Sequence, residues 1–262
     1  MQNFNESFNQ SMDDFYSKLA EISTKDQKSA LCILISTLGS TPRKTGTKMI
    51  VAQDGSIVGT IGGGLLEKRV IDQALEVLKS GEPKVFKHIL TQKEGMGCGG
   101  QVEVYIEPVS TPPQLFIFGA GHIGKTLAKQ ANWIGFNVSL IDDRAEMFEN
   151  YKPENITCIH SDYRECMESL SFSDETYIVV MTYDHDLDRN ILQLCLQKPY
   201  KYIGMIGSKA KVETSKKILK ENGVSEATLE KINWPIGIGI ACQTPEEIAI
   251  SILAKLIDTR RK

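Results

Sequence analysis

GAGHIG at 119–124 is the string in this chain with the clearest chemistry, because it fits GxGxxG directly after the apolar run LFIF (115–118) and ahead of a helical pattern opening at about His122. In that setting Gly119 permits the tight turn, Gly121 lets the backbone approach a pyrophosphate, and Gly124 lets helix and strand pack closely. The N–H groups at the start of the helix then face an anion. Asp142 and Asp143 follow 23 and 24 residues after Gly119, at the end of the next apolar run. A carboxylate there accepts hydrogen bonds from ribose hydroxyls. His122 inside the motif and Arg144 behind the acids leave the ligand open between NAD(P) and another nucleotide or cofactor.

Three further strings carry candidate contacts. GTIGGGLLEKRV at 59–70 sets Gly62, Gly63 and Gly64 just before a helical pattern, with Glu67 one turn into it. Such a loop exposes N–H groups to a phosphate or other anion, and it equally makes a tight strand-to-helix turn in which Glu67 serves the helix dipole. It lacks the Lys-Ser/Thr ending of a P-loop, so nucleotide hydrolysis is not indicated. MTYDHDLD at 181–188 closes an apolar run where ligand sites of open α/β sheets gather. Asp184, His185, Asp186 and Asp188 have the composition of a metal cluster, yet Asp184 or Asp186 also makes a good N-cap, and one histidine supplies too few certain ligands. Capping, metal binding and cofactor contact stay open, capping being the simplest. In YIGMIGSKAK at 202–211, Ser208, Lys209 and Lys211 follow Gly204 and Gly207. Those lysines either pair with phosphate or are simply solvated.

Six cysteines are spread without a CxxC pair, which argues against a structural zinc site and a disulfide scaffold. Cys32, Cys158 and Cys195 sit inside apolar runs and read as small core residues. Cys98, in GMGCGGQVEVYIEP, is flanked by glycines that leave its sulfur uncrowded.

The elements that must position these residues divide into two patterns. Phe4, Phe8, Met12, Phe15, Leu19 and Ile22 follow a helical period, Ala30–Thr37 reads as a strand, and Asp54–Gly55 marks a hairpin. A helix over Glu67–Ser80 stops at Gly81, and Gln101–Ile106 alternates like a strand. After Pro108, Pro112 and Pro113, short apolar strands at 115–118, 138–142, 156–160, 176–182 and 201–207 alternate with helical segments, the mark of a parallel sheet covered on both faces. Thr244, Pro245 and Glu247 open a last helix with a capping box. The expected fold is therefore α/β: a smaller α+β domain over 1–108, a linker at 109–114, and a Rossmann-like parallel sheet with helices on both faces over 115–262.

With 262 residues, 41% of them hydrophobic and 24% charged, the chain can bury one or two cores and is not disordered. A net charge of −3 gives no general attraction for nucleic acid. No apolar run approaches the roughly 20 residues that span a bilayer, and the start has no secretory pattern, so a cytoplasmic protein is expected.

In order along the chain, STLGSTPRKTGTKM, GTIGGGLLE, CGGQVEVYIEP, FGAGHIG, DDR, DHDLD, YIGMIGSKAK, and PIG with TPEEIAISI resemble the xanthine dehydrogenase accessory factor (XdhC/CoxI) family over about residues 30–258. The resemblance implies a small N-terminal domain, a Rossmann-like C-terminal domain, and a role in maturing molybdenum hydroxylases such as xanthine dehydrogenase. That role is to hold the molybdenum cofactor, protect it during sulfuration and deliver it to the apoenzyme. The partner implied is a hydroxylase client of the xanthine dehydrogenase type; a sulfurating cysteine desulfurase and a homodimer are compatible with it. A molybdopterin carries a phosphate, a flat hydrogen-bonding pterin and a metal held by sulfur, so its carrier needs anion cradles, a narrow polar slot and a thiolate for a soft metal. The candidate cofactor-binding set is Gly62, Gly63, Gly64, Glu67, Cys98, Gly119, Gly121, His122, Gly124, Asp142, Asp143, Asp184, His185, Ser208 and Lys209, with Cys98 also the candidate molybdenum ligand. No catalytic residue is assigned, and a maturation factor without its own turnover is expected. Tyr183 departs from the histidine usual in the family, and PIGIGIAC departs from its PIGLDIGA pattern at Gly239, Ala241 and Cys242. The alternative is an NAD(P)-dependent oxidoreductase using GAGHIG in the ordinary way, with His185 as its one apparent acid or base.

Overall fold

A computed structural model describes residues 14–22, 28–90, 99–109 and 111–261. The chain divides into two compact units, with the boundary between Thr111 and Pro112.

In the first unit, β1 (Ser29–Leu38), β2 (Lys48–Ala52), β3 (Ile57–Gly59), β4 (Lys84–Ile89) and β5 (Gln101–Val109) form an antiparallel sheet in the order β3-β2-β1-β5-β4. Period-two alternation puts Ala30, Cys32 and Leu34 of β1 on one face with Val102, Val104 and Ile106 of β5. Residues 14–22 are helical and are labelled α1; Phe4, Phe8 and Met12 of the same periodic segment lie outside the described residues. The apolar sheet face is buried against Leu66, Val70, Ala74 and Val77 of helix α2 (Gly64–Ser80), which stops at Gly81 in the left-handed conformation. β5 continues through Pro108 to Val109. Pairing with β4 covers only Gln101–Ile106, so among the described residues one edge of β5 is unpaired at Pro108, where a residue without an N–H is tolerated.

The second unit is a five-stranded parallel sheet in the order β10-β9-β6-β7-β8. Its strands are β6 (Gln114–Phe118), β7 (Asn137–Asp142), β8 (Ile156–His160), β9 (Tyr177–Val180) and β10 (Tyr202–Met205). Both faces are covered, which is why the central strands read as continuous apolar runs. Leu115 and Ile117 face α3 (His122–Trp133) and α8 (Pro245–Arg260). Phe116 and Phe118 face the side packed by α4 (Tyr163–Ser169), α5 (His185–Cys195), α6 (Lys209–Glu221) and the short α7 (Glu226–Leu229). β7 and β8 are joined by a loop with one 3-10 turn at Ala145–Met147 instead of a full helix. Among the described residues, no helix is long and apolar enough to cross a membrane.

The last helix carries both halves of its capping box: the Thr244 hydroxyl accepts from the Glu247 N–H, and the Glu247 carboxylate accepts from the Thr244 N–H at 3.1 Å. Because α8 covers the same sheet face as α3, its start bears on the whole core. Thr244→Ala should cost about 1 kcal/mol in urea unfolding of the full chain, and Thr244→Ser should recover most of it.

Candidate functional site

Strand order reverses between β6 and β9, and the crevice beyond their carboxyl ends is where ligands of open α/β sheets sit. The glycine motif lies there. Gly119 turns at a φ of +117° and passes so close to β9 that a Cβ on it would stand 2.3 Å from the Met181 carbonyl oxygen. A Cβ on Gly124 would stand 1.9 Å from the Gly119 carbonyl oxygen. Gly121 differs: the space beside it is open, and it lines a cleft of about 330 Å³. Ala120, His122, Lys125, Arg144, Met147, Met181, Thr182 and Tyr183 complete the lining. Gly121 caps α3 without a side-chain bond, and the first turn of α3 holds no acid to offset its dipole. His122 opens α3 and Lys125 lies one turn on, its ammonium 5.1 Å from the Tyr151 ring. The floor of the cleft therefore presents a helix N-terminus, an imidazole and a cation, a combination suited to an anionic group.

The two acids after β7 have separate roles. Asp142 is fully buried, and its oxygens accept from the Ala120 N–H at 2.7 Å, the Arg144 N–H at 3.1 Å and both arms of the Arg144 guanidinium at 2.9 Å. Burial alone would raise its carboxyl, but those hydrogen bonds outweigh it and hold the group below the usual range. Asp142 is engaged by the protein itself. Arg144, held this way, stacks at 4.2 Å on the Tyr183 ring, whose hydroxyl donates to Asp143 at 3.2 Å. The other oxygen of Asp143 is buried with no hydrogen-bond partner among the described residues, and Asp143 is not on the cleft lining.

The DHDLD string also splits into roles. Asp184 caps α5, accepting from the N–H groups of Asp186 and Leu187 at 2.8 Å. Asp188 is buried and accepts from the Thr182 N–H and hydroxyl, both at 2.7 Å, and from the Lys211 ammonium at 2.6 Å. Lys211, which the sequence left between phosphate pairing and solvation, is thus a buried ion-pair partner, 8% exposed. Ser208 caps α6, while Lys209 and His185 stand exposed at the first positions of α6 and α5, and neither is on the cleft lining. Among the described residues, no group of three His, Cys, Asp or Glu could hold a metal ion.

In the first unit, Gly62, Gly63 and Gly64 all have positive φ, and Glu67 folds back to accept from the Thr60 hydroxyl and, at 3.3 Å, from the Gly63 N–H. Its carboxylate occupies part of the loop that an external anion would enter. Cys98 lies outside the described residues. Gly100, two residues on, packs so tightly on the end of β1 that a Cβ would stand 2.3 Å from the Ser40 carbonyl oxygen. Of the other thiols, burial pushes Cys32 up to about 12 and raises Cys158, Cys166 and Cys195, which makes them poor thiolates.

The profile of the XdhC Rossmann domain matches residues 115–256, and that of the XdhC and CoxI family matches residues 23–89. The chain belongs to the XdhC/CoxI family. It is 30% identical over 253 residues to the uncharacterized protein YqeB of Escherichia coli K12, an alignment covering 94% of this chain and 46% of that protein. It is 28% identical over 160 residues to a probable xanthine dehydrogenase component from Bacillus subtilis 168, covering 61% and 46%. It is 24% identical over 268 residues to the molybdenum cofactor insertion chaperone PaoD of E. coli K12, covering 88% and 83%. The matched region spans just under half the length of the first two relatives.

Within this family framework, Tyr183 makes a contact of its own, closing one wall of the cleft through Arg144 and Asp143. Sequence reasoning did not select Lys125, Thr182 or Tyr183. Lys125 had a usable signal, since it lies three residues after His122 on a helix and so on the same face. Thr182 and Tyr183 had a signal too, since they lie in MTYDHDLD at the end of an apolar run where ligand sites of open α/β sheets gather.

Two glycines three residues apart should respond differently. Gly124→Ala should cost about 3 kcal/mol of stability because the methyl meets backbone. Gly121→Val should leave thermal unfolding nearly unchanged while abolishing ligand binding in calorimetry, since its side chain enters the cleft. Lys211→Met should lower stability by about 3 kcal/mol by stranding the buried Asp188, and adding Asp188→Asn should recover part of it in denaturant titrations.

Proposed function

We propose that this chain is a cytoplasmic accessory protein that binds the molybdenum cofactor in its Rossmann-type cleft and hands it, in sulfurated form, to an apoenzyme of the xanthine dehydrogenase type. The observation that carries the reading is the anion-favouring cleft at the point where the strand order reverses: the start of α3, with no acid in its first turn, meets His122 and Lys125 there. A molybdopterin offers the anion through its phosphate. The names of the B. subtilis relative and of E. coli PaoD support the client class and the cargo. We also propose Cys98, which lies outside the described residues, as a ligand for a soft metal on the strength of its glycine-flanked place in the sequence.

A second reading, an NAD(P)-dependent oxidoreductase, is favoured by the GAGHIG turn at the switch point, where the start of α3 would equally take a pyrophosphate. It lacks support from His185, its one candidate acid or base, which is not on the cleft lining.

The test is to express a candidate hydroxylase with and without this protein and to measure total molybdenum and the active, sulfurated fraction. Co-expression should raise the active fraction, and Cys98→Ser and Gly121→Val should each remove the increase. Equal activity with and without the protein for every client, or steady nicotinamide turnover by the isolated chain, would overturn the proposal.

A further inference from the structure

A dinucleotide bound to a Rossmann fold has its adenosine ribose read at the end of the second strand, by a free carboxylate for NAD or by an arginine for the 2′-phosphate of NADP. In this chain β7 is that strand, and its acids and arginine are already spent on each other. Each oxygen of Asp142 accepts two hydrogen bonds, Oδ2 from the Ala120 N–H and the Arg144 guanidinium, Oδ1 from the Arg144 N–H and Nε. That fills the capacity of a carboxylate. Asp143 is no substitute, since one oxygen takes the Tyr183 hydroxyl, the other is buried, and the residue is not on the cleft lining. Arg144 has one edge of its guanidinium paired with Asp142 and one face covered by the Tyr183 ring at 4.2 Å. Its charge is thus compensated before any 2′-phosphate arrives.

The same contacts cross the path of such a ligand. In the sheet β6 lies between β7 and β9, yet Asp143 and Arg144, which follow β7, meet Tyr183, which follows β9. The bridge therefore spans the carboxyl end of β6, where a dinucleotide would run from the β9 side to the β7 side. A phosphate at the start of α3 is left with no adenosine subsite on the β7 side, so the rest of its molecule extends in one direction. We propose that the bridge of Asp143, Arg144 and Tyr183 is a selectivity element that shuts adenine dinucleotides out of the cleft and leaves it to molecules ending in a single phosphate monoester. This rests on the reading of the cleft as an anion site, and it separates two anions that the start of α3 alone would accept equally.

Thermal unfolding and calorimetry of the full chain test this. Inorganic phosphate, compared with sodium chloride at matched ionic strength, should raise the unfolding temperature of the wild type and not that of Gly121→Val. NAD+ and NADP+ at about 1 mM should give no binding heat with the wild type. Tyr183→Ala opens the bridge and leaves the pair of Asp142 and Arg144 in place; it should bring NAD+ binding within reach of calorimetry, a gain of at least about tenfold. Adding Arg144→Ser frees Asp142 as an acceptor and should tighten NAD+ by about a further tenfold. A bridge that merely braced the fold would give a loosened chain with no gain for NAD+. Should the double variant fail to fold, Tyr183→Ala decides alone. Binding of NAD+ or NADP+ by the wild type at that concentration, no protection by phosphate, or a folded Tyr183→Ala without a gain for NAD+ each overturns the inference. The co-expression experiment can fail while this one succeeds, because it reads delivery of a cargo and this one reads which anions the cleft admits.

Discussion

The second unit depends on one buried carboxylate. Asp142 closes β7 and ties three strand ends together: it accepts from Ala120 in the turn after β6, clamps Arg144 in its own loop, and through Arg144 fixes the ring of Tyr183 after β9. A charge without solvent exposure persists only when its oxygens are fully paired, and here four hydrogen bonds supply that pairing. The consequence for recognition is direct. A carboxylate committed to holding the glycine turn has no lone pair to spend on a ribose or a pterin, while Asp143, one residue on, has one oxygen on Tyr183 and the other buried without a partner among the described residues.

Asp188 repeats this design on the other side of the cleft. It fixes Thr182 by two bonds and takes its compensating cation from α6, as Asp142 takes Arg144 from the loop after β7. Both cleft walls are thus held by a buried acid paired with a cation, Arg144 two residues on for Asp142 and Lys211 of α6 for Asp188. Such ties hold the site in shape before a ligand arrives and lower the ordering cost of binding.

The sheet elements were legible because their signals are local. Apolar runs bounded by turn residues marked β6 to β10, Asp54–Gly55 marked the hairpin, and Thr244 with Glu247 marked the start of α8. The glycine motif was legible for the same reason: two of its glycines are required by backbone contacts within the motif or with the adjoining strand. Side-chain roles were less legible. Asp142 and Asp143 are adjacent and chemically identical in sequence, and only the direction of each side chain at the end of β7 separates the acid that ties the strand ends together from the one that meets Tyr183. Lys211 was ambiguous because its partner is 23 residues away, across two elements. Glu67 had two readings until the fold showed its carboxylate turned back on its own loop.

The size of the cleft bears on how a carrier would work. At about 330 Å³ it lies at the small end of the range that encloses a drug-sized ligand. A molybdopterin would be gripped there by its phosphate end and part of its ring, with the remainder open to a second protein. Partial enclosure limits affinity, since each tenfold tightening requires about 1.4 kcal/mol more from contacts the cleft does not provide. For a carrier that limit is useful. The client needs to exceed only a moderate grip, and it can engage the exposed part of the cargo before the anionic end leaves α3. In the proposed carrier role, walls fixed by Asp142 and Asp188 before a ligand arrives would serve capture, and the small cleft would let release proceed without unfolding the site.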